Sequence, residues 1–197
     1  MAAERRRHSA ARRSPARWLA VVGVVALVAF VAALPHKGAG AGLGLRTGPA
    51  PWPPEYSHLG RRLGALHLPA ESDAAFHIHV RLRIFVGARQ VPVPAGIGID
   101  PAGGLLASLH THDASGIVHV EADRPFPFTL RQFFSVWGVR FSRAHLGGYG
   151  APSVFVNGRR VRDPAAVVLH AHDRIVVGAG PPGSFPTRDT EPFPAGL

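Results

Sequence analysis

FHIHVRLRIFV, residues 76–86, alternates apolar and polar side chains. Phe76, Ile78, Val80, Leu82, Ile84 and Val86 fall on one side of a period of two, with His77, His79, Arg81 and Arg83 on the other. This pattern predicts a β-strand with one buried face and one polar face. Gly87-Ala88 then opens a hairpin into RQVPVPAGIGI, where Pro92 and Pro94 push the return strand to an edge. Further on, Leu105, Ala107 and Leu109 alternate with Ser108, His110 and His112; residues 113–116 form a turn; and Val118 and Val120 alternate with His119 and Glu121. On all three strands the histidines oppose the apolar set. If the strands are neighbours, one sheet face displays His77, His79, Arg81, Arg83, His110, His112, His119 and Glu121, outside the core.

The remaining elements follow. FTLRQFFSVWG places Thr129 as N-cap and Gln132 three residues on, a capping box, with Phe128 and Phe133 spaced for a hydrophobic staple and Gly138 just past the end. Leu130, Phe133, Phe134 and Trp137 should pack on the sheet. SVFVNGRRVR is a hairpin around Asn157-Gly158, and RIVVG (174–178) is a last strand. The economical solution is an α+β fold: a small mixed β-sheet with one helix packed on one face. The stretch VFVNGRRV…DPAAVVLHAHDRIVVGAG resembles the closing strands of β-grasp (ubiquitin-like) domains, which implies a fold β-grasp-like in part. The string FHIHV…LHTHD…GIVHVE…FTLRQFFSVWG…VFVNG…HD…FPAGL also resembles an uncharacterised family of membrane-anchored bacterial extracytoplasmic proteins. That resemblance implies an anchored outer domain and no particular activity.

The twelve histidines carry the functional reading. Imidazole is the commonest protein ligand for transition metals, and residues two apart on a strand share a face. His110-x-His112-x(6)-His119-x-Glu121 puts four possible ligands on facing positions of one hairpin, spaced to share a zinc or copper ion. His77 and His79 are further candidates, opposed by the fixed charge of Arg81 and Arg83, which suits an anionic partner instead. His170, His172 and Asp173 read as a turn before the last strand, with Asp173 bonding local backbone. FHIHV is similar to the copper-binding strand of copper–zinc superoxide dismutases, but their disulfide cysteines and glycine-rich zinc loop are missing. No nucleophile elbow, helical zinc motif or phosphate loop is present, and no organic cofactor is indicated. The expected role is metal handling or a structural ion rather than catalysis. Two alternatives stand beside it: an envelope interaction module whose His/Arg face docks a partner or responds to pH, and a metal-dependent hydrolase or oxidase with Glu121 as base.

Composition sets the outer bounds. The formal net charge is +10, yet residues 1–34 hold six arginines against one glutamate, and the other 163 residues hold 16 basic and 11 acidic side chains. That distribution, without aromatic–basic interleaving, excludes a nucleic-acid partner. The 17-residue apolar run Trp18–Leu34 spans roughly 25 Å, the short end of a membrane crossing. The arginines before it keep residues 1–17 cytoplasmic, which predicts a single-pass cell-membrane anchor at 18–34 with the domain extracytoplasmic. Absence of cysteine excludes disulfides, thiol catalysis, iron–sulfur clusters and a blue-copper site. The expected division is a basic tail (1–17), an anchor (18–34), a Gly/Pro-rich linker (35–55), an α+β domain (56–180) and a Pro-rich tail (181–197).

Overall fold

The computed structural model describes residues 42–72 and 75–197, which fall within one compact unit. The anchor expected at 18–34 lies outside these residues, and among the described residues no helix is long and apolar enough to cross a membrane.

The alternating segment forms strand β1, Phe76–Val86. Its length lets it take three partners. The first half pairs antiparallel with β6 (Ile117–Ala122), the second half pairs antiparallel with β2 (Arg89–Val91), and the opposite edge pairs parallel with β9 (Arg174–Ala179). Beyond β9 lie β7 (Ser153–Val156) and β8 (Arg159–Arg160); beyond β6 lies β5 (Leu109–His110). The main sheet thus runs β5-β6-β1-β9-β7-β8, with β2 beside β1 off that path. β2 stops at Val91, as the missing N–H of Pro92 requires. The stretch from Leu105 to His110 is not one strand. β4 (Leu105–Leu106) pairs with β3 (Ile99–Asp100) in a separate two-stranded sheet, and after two intervening residues Leu109 enters the main sheet.

Among the described residues two α-helices are present where one was expected for the domain. The capped segment forms α2, Leu130–Trp137, with the Gln132 N–H donating to Thr129 Oγ1 (3.3 Å), the Thr129 N–H donating to Gln132 Oε1 (2.7 Å), and Gly138 at φ 81°. Phe128, Phe133, Phe134 and Trp137 are fully buried with Val80, Leu82 and Ile84 in one core. The additional helix is α1, Leu59–Leu66. Its apolar period, Leu59, Leu63 and Leu66, is interrupted by two glycines and a buried arginine, which hid it. The Asn157-Gly158 turn takes positive φ at both residues, as a two-residue hairpin of this type needs.

The segment read as a linker joins the fold from residue 42 onward. Trp52 is buried edge-on against Trp137, with ring centroids 5.9 Å apart, and the Trp137 Nε1–H donates to the Trp52 carbonyl (3.1 Å). Arg46 bridges in parallel with Val139. Flexibility inferred from glycine and proline content gives way here to the burial of a large aromatic ring. Arg62 on α1 ties the segment down. Fully buried, it donates to the Leu43 carbonyl (3.2 Å), to the Glu55 carbonyl and to the Glu55 carboxylate.

Burial works to raise the Glu55 carboxyl, but the Arg62 guanidinium, helped by His58, overrides it and lowers the pKa from its ordinary 4.5 to about 2. A depressed folded-state pKa stabilises the fold above the unfolded value, and that stabilisation fades as pH falls from 4.5 toward 2. Glu55→Gln is expected to cost roughly 3 kcal/mol at neutral pH, because it leaves a buried guanidinium without its counter-charge. It should also flatten the acid limb in urea unfolding measured across a pH series. An acid limb identical to that of the wild type would refute the assignment.

Candidate metal centre

Strand register builds the site. His110 on β5 pairs with His119 on β6, and His119 pairs with His79 on β1, so three imidazoles form a row across three strands. His77 pairs with Glu121 in the adjacent row. His112 follows His110 by two residues, just past the end of β5. The side chains of all six sequence candidates meet on this face.

Their ligand atoms converge. His77 Nε2 lies 3.0 Å from His79 Nε2, which lies 3.1 Å from His119 Nδ1; His110 Nε2 lies 3.2 Å from His112 Nε2. Glu121 Oε1 is 3.1 Å from His77 Nε2, 3.3 Å from His119 Nδ1 and 3.8 Å from His110 Nε2. Two ligands of one ion at zinc–nitrogen bond length stand about 2.9–3.4 Å apart, so most of these separations are already those of a coordination shell. His110, His112, His119 and Glu121 form one group able to hold a metal ion, and His77, His79 and His119 form another.

Burial grades across the cluster, and here the expectation of histidines outside the core needs correction. The His110 side chain is only 1% exposed, whereas that of His77 is 38% exposed. The His110 ring stacks on His119 (5.4 Å, 14°) and meets His112 edge-on (4.8 Å), so its neighbours on the same face cover it. The His110 Nδ1–H donates to the Ala107 carbonyl (2.9 Å), which leaves the Nε2 lone pair turned toward His112 and Glu121. Such a bond to the second ring nitrogen is the usual orienting partner of a metal-bound histidine. Ala107 has no signal in the sequence, because its contribution is a backbone oxygen.

Desolvation lowers the pKa values of His79, His110 and His119. Neighbouring imidazoles add to the effect, and for His79 the value falls from 6.5 to about 4. The rings are therefore neutral at physiological pH, the form a metal needs.

The arginine half of the face is handled differently. Asp189, 1% exposed, and Glu191 come from the C-terminal segment read as a tail. Arg83 Nη1 lies 3.3 Å from Asp189 Oδ1, and Arg81 Nη1 lies 3.4 Å from Glu191 Oε2. The charge expected to repel a cation near His77 and His79 is therefore balanced. The spacing Asp189-x-Glu191 matches Arg81-x-Arg83, but nothing local in the sequence pairs two segments more than a hundred residues apart. Phe185 anchors the same segment by stacking on Phe85 (6.4 Å, 14°) over Gly178, where any Cβ would meet the Phe185 ring at 2.1 Å.

Asp173 does bond locally, accepting from the His170 N–H (3.0 Å) and from Asn157 Nδ2 (2.8 Å). His170 and His172 belong to neither metal group. His172 still contributes, since its backbone N–H donates to the His79 carbonyl (2.8 Å).

Asp189→Ala is expected to destabilise the fold by roughly 3 kcal/mol, because buried Arg81, whose Nε lies 3.9 Å from Asp189 Oδ2, stays buried after losing that carboxylate. The drop is read from urea unfolding at neutral pH; a change below about 0.5 kcal/mol, the level of an ordinary surface substitution, would show that the segment is not held by this pair. Comparison with known protein families, characterised proteins and solved structures finds no match for this chain.

Proposed function

We propose that this domain binds a divalent transition metal, zinc or copper, through His110, His112, His119 and Glu121. The observation that carries the reading is the buried His110 ring, held by the Ala107 carbonyl with its free nitrogen aimed at His112 and Glu121. A docking face would splay its imidazoles toward solvent, and the convergence of these nitrogens favours an ion over a protein partner. Imidazole with one carboxylate suits zinc or copper. Three imidazoles and a carboxylate fill a tetrahedral shell, which favours a structural or metal-handling role over a hydrolase or oxidase, whose ion keeps a position open.

The fold is inferred to be β-grasp-like in part. What supports this is the order β2-β1-β9-β7-β8, with the first and last strands parallel at its centre and α2 between the two hairpins in sequence. On this reading β3 to β6 are an insertion, and it is the insertion that brings the metal ligands to β1. The apolar run at 18–34 is proposed to anchor the domain in the cell membrane, outside the cytoplasm, where an envelope protein partner would meet it.

The full chain, purified without a histidine tag, is expected to carry at least one zinc or copper ion per chain by elemental analysis, and His110→Ala/His112→Ala to carry one ion fewer. A folded, metal-free wild type that ignores added zinc and copper would overturn the reading. Free ion at a hundredfold over Kd is expected to raise unfolding stability by about 2.7 kcal/mol per site, a chelator to reverse the gain, and the gain to be smaller in the double variant.

A further inference from the structure

Six ligand-bearing side chains stand on this face, and they divide into two sets. Within each set, one ligand atom per residue lies within 4.8 Å of every other. Ligands on opposite sides of one ion stand about 4.2 Å apart, so each set has close to the span of a single shell. The outer pairs do not mix. His110 and His112 come from β5 and its exit, His77 and His79 come from β1, and β6 runs between them. With strands spaced about 4.8 Å, the backbones carrying the outer pairs are roughly 10 Å apart.

The two residues of the middle strand face both ways. The His119 ring centroid lies 4.4 Å from that of His112 and 4.5 Å from that of His79, near-equal approaches to the two sides. Glu121 Oε1 reaches His110 on one side (3.8 Å) and His77 on the other (3.1 Å). The fixed charge of Arg81 and Arg83, which would oppose a cation beside His77 and His79, is met by Asp189 and Glu191.

We propose that the cluster is a two-ion centre. One divalent transition metal is held by His110, His112 and Glu121 and the other by His77 and His79, with His119 serving both. An imidazole has two ring nitrogens, so one side chain can bind two ions once its remaining N–H proton is released to solvent. With a metal–nitrogen bond of about 2.0–2.1 Å on each side of the ring, an imidazole bridge holds its two ions roughly 6 Å apart, and Glu121 stands beside both positions. The proposal rests on the metal reading above and adds a second ion to it.

The test is zinc stoichiometry on the full chain, loaded with excess zinc, freed of unbound ion and measured by elemental analysis. Two zinc ions per chain are expected in the wild type, and one in each of His77→Ala/His79→Ala and His110→Ala/His112→Ala. One zinc per chain at saturation would overturn the second ion and leave the proposed function standing; none would overturn both. Because His110 is buried, its double variant carries a risk of unfolding, checked by circular dichroism. The wild-type count and the exposed His77/His79 variant decide the question without it.

Discussion

The eleven-residue strand β1 is the constraint on which the rest depends. A strand with three partners has no free edge along most of its length, so both of its faces must be resolved by what packs on them. Its apolar face takes α2 and the aromatic core around Phe133, Phe134 and Trp137. Its other face carries two histidines followed by two arginines, and each pair needs a different solution.

For the arginines the solution is counter-charge. Asp189 and Glu191 lie over Arg81 and Arg83, and Phe185 holds their segment to the sheet at Gly178, the one point on β9 where a ring can touch backbone. For the histidines the solution is neutrality. Desolvation and mutual repulsion keep His79, His110 and His119 uncharged, so imidazoles can stack and meet edge-on without an electrostatic penalty. A neutral, crowded, partly dry set of ring nitrogens is also what a transition metal requires. The same burial that makes the cluster tolerable makes it a ligand set.

On α1, Arg62 and Glu55 solve a related problem. A cation on the buried face of α1 is held by a carboxylate and two carbonyls, and this fastens residues 43–55 beneath α2. Trp52 then completes the core against Trp137. Proline and glycine in this segment suit a chain that must turn sharply around large rings as well as they suit a tether, and composition alone does not separate the two.

What the sequence by itself determined was local: the period of β1, the capping box of α2, the Asn157-Gly158 turn, and the shared face of His77, His79, His110, His112 and His119. Each rests on neighbours within a few residues, where backbone geometry leaves few choices. It also named all six ligand candidates, because a period of two assigns faces before any partner is known. Only the tertiary structure decided which strands are neighbours, hence that His110, His119 and His79 fall in one row and that His119 lies between two sets. It alone buried His110, brought the Ala107 carbonyl to its ring, and laid Asp189 and Glu191 over arginines more than a hundred residues away. These depend on strand order and on long-range packing, and no local pattern in the chain encodes the distance between residues that meet only when the sheet closes.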